Sequence, residues 1–120
     1  MHELSIALSL MQLAEEQGRL HGAEVGKLAV MHIALGPLSG VEKEALISAF
    51  ELAREASPFP LCRLEIREVA LTGHCEACGE TRDVVSRVDR VCAVCGGPVA
   101  KLITGREMQL ESLAFSESSA

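Results

Sequence analysis

Residues 74–97 read HCEACGETRDVVSRVDRVCAVCGG and contain two Cys-x-x-Cys-Gly units. Cys75 and Cys78 form the first pair, Cys92 and Cys95 the second, with 13 residues between the pairs. Two cysteines at i and i+3 bring both thiolates onto one ion within a single turn. The glycine after each pair, Gly79 or Gly96, can take the positive φ that such a knuckle requires. Two knuckles complete a tetrahedral Cys₄ shell with Zn–S distances of about 2.3 Å. Four cysteines fill every coordination position, so the spacing predicts a structural ion rather than one that works on a substrate. The segment has too few apolar residues to fold alone, and metal binding would supply the missing free energy. Knuckle spacing does not choose the metal: zinc is the expectation, with an iron site or a pair of redox dithiols as the alternatives.

Five Cys is an odd number, which favours metal ligation over a disulfide framework and fits a reducing, cytoplasmic compartment. The length suits one domain, or one domain with a small satellite. Net charge is −6, from 17 acidic against 11 basic side chains, and aromatic residues make up only 2%. Neither phosphate-backbone binding nor base stacking has much to work with. No apolar run approaches the roughly 20 residues needed to cross a bilayer, and no leader pattern stands at the start. No Ser/His/Asp set, phosphate loop or carboxylate pair stands out, so catalysis is not expected.

Outward from the cysteines, both flanks carry α/β patterning. Residues 4–17 predict a helix with Leu4, Leu8 and Met11 on one stripe, flanked by Ile6, Leu10 and Leu13 and ended by Gly18 and Gly22. KLAVMHIALG, residues 27–36, predicts a buried strand with Met31, Ile33 and Leu35 on one side and Leu28, Val30 and His32 on the other. Ser39 and Glu42 have capping-box spacing ahead of a second helix at about 41–56, with Ala45, Ala49, Phe50 and Ala53 inward. A strand at about 61–69 points Cys62, Leu64 and Ile66 inward, which makes Cys62 a buried inert thiol. REMQLESLAF, residues 106–115, predicts a last strand with Met108 and Leu110 inward. The expected fold is α+β: a small mixed sheet with two helices, formed by residues 1–70 and 105–120, with a zinc ribbon inserted at 71–104.

The chain starts MHE. The Met1 amine and the His2 backbone nitrogen close a five-membered ring on a metal; that nitrogen and the His2 imidazole close a six-membered one. The result is a planar nitrogen environment that suits Ni(II) or Cu(II), with one coordinate left for another imidazole, Glu3 or water. By itself such a start also reads as a frayed end.

MHELSIA at the start, LGPLSGVEKEAL in the middle, the paired Cys-x-x-Cys units and the closing GREMQLESLAF together resemble the HypA/HybF family of nickel metallochaperones in [NiFe]-hydrogenase maturation. The resemblance spans nearly the whole chain. It implies a nickel-binding α/β domain whose sheet is completed by the C-terminal strand, plus a zinc ribbon. It implies nickel at Met1, His2 and Glu3, and zinc at Cys75, Cys78, Cys92 and Cys95. The implied activity is delivery of Ni(II) to the hydrogenase large-subunit precursor, with a HypB-type GTPase as partner. His74, next to Cys75, is a candidate further nickel ligand or an exposed hinge residue; His32 is expected to be structural and His21 to lie on the surface. The rival reading is a zinc-ribbon adaptor that binds protein or nucleic acid and has no nickel role.

Overall fold

The computed structural model describes residues 3–116. In chain order it has helix α1 (Glu3–Leu20), a 3-10 turn (Val25–Lys27), strand β1 (Leu28–Leu35), helix α2 (Lys43–Arg54), and strands β2 (Arg63–Glu68), β3 (Thr72–Cys75), β4 (Glu80–Val85), β5 (Val91–Cys92), β6 (Lys101–Thr104) and β7 (Met108–Phe115). The strands form a three-stranded sheet in the order β2-β1-β7 and a four-stranded sheet in the order β5-β4-β3-β6. Two compact units result. The described residues of Met1–Ile33, Val41–Arg67 and Gln109–Ala120 make one; Ala34–Gly40 and Glu68–Met108 make the other.

In the first unit α1 packs on α2, and β1 supplies the centre of the sheet. Met31 and Ile33 of β1 are fully buried with Leu46 and Phe50 of α2, Phe59 and Cys62. The face of α1 differs from the expected stripe. Ala7, Leu10, Met11, Ala14 and Gly18 are buried, whereas Leu4 and Leu8 are 45% and 52% exposed. Leu10 and Met11 are buried as expected, and the small residues Ala7, Ala14 and Gly18 share their face in place of Leu4 and Leu8. Gly18 does not end the helix. A Cβ there would stand 3.3 Å from Cζ of Phe115 on β7, so the missing side chain makes room for that ring. The left-handed turn falls at Gly22, φ +72°, after the helix is complete.

The start of α2 also departs from the expected capping box. Glu42 is itself the N-cap, accepting a 2.6 Å hydrogen bond from the Ala45 amide through its carboxylate. Gly40 takes φ +81° just before it, so the turn through Ser39 and Gly40 ends too late for Ser39 to cap. Leu46 joins Phe50 as the buried pair of α2, and Ala45, Ala49 and Ala53 are half-buried beside them.

The second unit is a small antiparallel sheet with a buried cluster of Leu71, Cys75, Val84, Cys92 and Val99. β3 sits between β4 and β6 and pairs antiparallel with both. Gly73 is required there: a Cβ would fall 2.6 Å from the Lys101 carbonyl oxygen and 2.6 Å from a Val99 methyl. The Ala34–Gly40 segment is fastened within this unit by Gly36 N–H to the Glu107 carbonyl at 2.8 Å and Leu38 N–H to the Gly105 carbonyl at 2.7 Å.

Candidate metal centre

The β3–β4 hairpin turns through the first cysteine pair. Cys75 ends β3 and faces Glu80, the first residue of β4. Between them Gly79 takes φ +71° and donates its N–H to the Cys75 carbonyl at 2.8 Å. The second pair repeats the device: Gly96 takes φ +75° and donates to the Cys92 carbonyl at 2.9 Å. β5 pairs with β4 at Val84 and Cys92, which carries the second knuckle up to the first. Equal spacing in the sequence has become equal backbone geometry.

The four Sγ atoms consequently lie within 4.8 Å of one another. Cys75 Sγ is 3.5 Å from Cys95 Sγ, and Cys78 Sγ is 3.9 Å from Cys92 Sγ. A tetrahedral ion with metal–sulfur bonds of about 2.3 Å requires sulfurs about 3.8 Å apart, so the donor set fits a divalent thiolate-binding metal. Backbone amides aim at the sulfurs: Cys78 N–H at Cys75, Val94 and Cys95 N–H at Cys92, and Gly97 N–H at Cys95, all at 3.3–3.5 Å. The Cys95 amide is the largest influence lowering the Cys92 thiol below its ordinary range. Such amides favour thiolates, the form that binds metal.

The other expected site residues are placed as follows. Met1 and His2 lie outside the described residues. Glu3 opens α1, and its carboxylate accepts a 3.3 Å hydrogen bond from the Glu42 amide at the cap of α2. His74 precedes Cys75 on β3, opposite Thr81 and Lys101. Strand alternation points it to the face away from the cysteine sulfurs, and it belongs to no ligand cluster among the described residues. His21 Nδ1 is 2.9 Å from the Gln17 carbonyl on the exposed side of α1. Cys62 is fully buried and is not a member of the four-cysteine cluster, and burial pushes its thiol up to about 11. No helix among the described residues is long and apolar enough to cross a membrane. The residue that the spacing did not reveal is Arg82, on β4 beside Cys78.

Residues 1–115 match the family model described as hydrogenase/urease nickel incorporation, metallochaperone, hypA. The chain belongs to the HypA family. A hydrogenase maturation factor HypA from Roseiflexus sp. (strain RS-1) is 39% identical over 121 residues, covering 98% of this chain and 94% of that protein. The HypA of Deinococcus radiodurans is 37% identical over 110 residues, covering 92% and 89%. Among solved structures, the nickel metallochaperone HypA from Helicobacter pylori is similar at 29% identity with a TM-score of 0.65, covering 96% of this chain and 97% of that one. A second HypA solution structure is similar at 28% identity with a TM-score of 0.68, covering 98% of both chains. The mixed helix-and-sheet architecture with a four-cysteine insertion agrees with these HypA structures and with the α+β expectation. The family is one of metallochaperones and maturation factors.

Proposed function

We propose that this HypA-family chain takes up Ni(II) through Met1, His2 and Glu3 and passes it to the [NiFe]-hydrogenase large-subunit precursor, in the cytoplasm and with a HypB-type GTPase. It is not an enzyme in this reading; the ion is its cargo. The Met1 amine, the His2 backbone nitrogen and the His2 imidazole bind in one plane. Glu3 adds a carboxylate at the first turn of α1. The Glu42 amide supports the reading, because it fixes the Glu3 carboxylate at the place where the chelate would form. The three nitrogens leave the fourth coordinate to the Glu3 carboxylate, a weaker ligand that a receiving site can displace before the donor lets go. The four cysteines hold a structural Zn(II), whose closed shell leaves no coordinate for exchange.

The observation that carries the reading is the match of residues 1–115, MHE included, to a nickel-incorporation family. It favours this reading over an adaptor that uses only the cysteine ribbon. The test is metal analysis of untagged protein loaded with Ni(II), beside a variant with one residue added before Met1 and beside His2→Ala. Both changes should abolish stoichiometric nickel and leave zinc in place. Nickel retained by either variant refutes the assignment.

A further inference from the structure

Arg82 stands in the middle of β4, opposite Gly73 of β3. Residues two apart on a strand share a face, so Arg82 lies on the side of the sheet that also carries Val84 and, through Gly73, Cys75. Val84 and Cys75 belong to the buried cluster, and Cys78 packs against it. The Arg82 side chain therefore leaves the sheet on the face that carries the metal centre. One Nη donates to the Glu80 carboxylate at 3.2 Å. Its Nε is buried without a hydrogen-bond partner. The guanidinium also lies beside the Cys78 thiol.

A buried N–H without a partner is rare in folded proteins and calls for a physical reason. A solvent-facing ion pair with Glu80 gives none, because it would leave Nε in water. The metal centre does. Four thiolates on a dication leave a double negative charge, and a thiolate is a better acceptor than a thiol. Arginine stays protonated throughout the range in which thiolates bind metal, and its planar fork can serve Glu80 and a sulfur together.

The geometry points to Arg82 as the charge-compensating donor to the Cys78 thiolate of the loaded centre, a positioning residue that slows loss of the metal. An N–H···S contact withdraws electron density from the sulfur. It stabilises the loaded form and makes Cys78 a weaker nucleophile. The inference rests on reading the four cysteines as a metal centre, and the test separates the two.

The full chain is purified with Zn(II), or reconstituted with Co(II), as wild type, Arg82→Met, Arg82→Lys and Glu80→Gln. One metal per wild-type chain, lost in Cys75→Ala, is the expected starting result; a metal-free wild type overturns the centre itself. With the centre established, Arg82→Met should release zinc to a colorimetric chelator about 10-fold faster or more, the usual penalty for losing a group that supports a ligand. Its sulfur-to-cobalt charge-transfer band should move to lower energy, and Cys78 should be alkylated faster than in the wild type. Arg82→Lys should recover part of all three, and Glu80→Gln should match the wild type. Arg82→Gln, which removes the charge but keeps a polar side chain, carries the same comparison if Arg82→Met does not fold. Wild-type release and an unmoved band in the charge-removing variant overturn the inference. Equal loosening by Glu80→Gln also overturns it, because the ion pair would then carry the effect.

Discussion

Removing the metal should unfold the cysteine-bearing unit and leave the other unit standing. The buried cluster around the cysteines holds Leu71, Cys75, Val84, Cys92 and Val99. Two of these are ligands, so three aliphatic side chains remain, each worth roughly 1.5–3 kcal/mol on burial. A structural zinc contributes about 10–16 kcal/mol at neutral pH, more than that whole aliphatic set. The first unit buries Met31, Ile33, Leu46, Phe50 and Phe59 completely, and no proposed zinc ligand is among them. Amide hydrogen exchange read by mass spectrometry, with and without a strong chelator, separates the two. Peptides covering 80–92 should lose at least about 1,000-fold of their protection, equivalent to about 4 kcal/mol, while those covering 28–33 and 43–54 keep theirs. Cys92→Ala should reproduce the chelator. Full protection of β4 in protein shown to be metal-free would refute the reasoning, because the small apolar cluster would then suffice.

Two single positions, Gly36 and Cys62, set the remaining expectations. In Gly36→Ala the new Cβ would stand 2.3 Å from the Gly105 carbonyl oxygen and 2.8 Å from a Glu107 carboxylate oxygen. The backbone must retreat and release the Gly36 and Leu38 hydrogen bonds, at a cost of about 3 kcal/mol or about 10 °C in thermal midpoint; an unchanged melting curve would contradict the close approach. Cys62, raised by burial from 9.0 to about 11, should be alkylated in native protein at pH 8 about 100-fold more slowly than an ordinary thiol. Because the folded value is the higher one, the thiol's contribution to stability is complete below pH 9 and is lost as pH rises toward about 11. Cys62→Ala should therefore flatten the alkaline limb of a denaturation series, and an unaltered limb would count against burial as the cause.

What could be read from residues alone divides along physical lines. The cysteine pairs were legible because metal chelation is a local geometric demand: i, i+3 spacing plus a glycine with positive φ states both the ligand and the turn. The inward side of β2 was legible because strand alternation leaves only two choices, and β1 was legible as a buried strand because apolar residues fill both of its sides. The face of α1 was not. Its surface offers apolar residues nearly all round, so hydrophobicity could not say that Ala7, Ala14 and Gly18 face inward while Leu4 and Leu8 stay exposed. Close approach to a partner chose that face, and the partner is distant in sequence. The same reasoning explains Gly18: as a local signal glycine reads as a helix stop, but here its reason is the Phe115 ring, almost a hundred residues away in the chain.

Glu42 and Arg82 extend that distinction from fold to site. The Ser39–Glu42 pattern marked a helix start correctly and assigned the cap to the wrong member, since the φ of Gly40 delays the helix until Lys43. The delay gives Glu42 two roles. Its side chain caps α2, and its backbone N–H is left to reach the Glu3 carboxylate. Had Ser39 been the cap, the Glu42 amide would have lain inside the first turn, on a different trajectory. Arg82 carries no spacing signal at all, because a single arginine in a polar strand looks like solvent-facing charge. Only the pairing of β3 with β4 places it on the face that carries the metal centre. In the first case a backbone amide, and in the second a charged side chain, is brought toward a candidate metal ligand by pairing that no spacing pattern states. Cysteine ligands can be read from local spacing; the groups that tune a ligand depend on strand register and turn geometry, which spacing alone does not state.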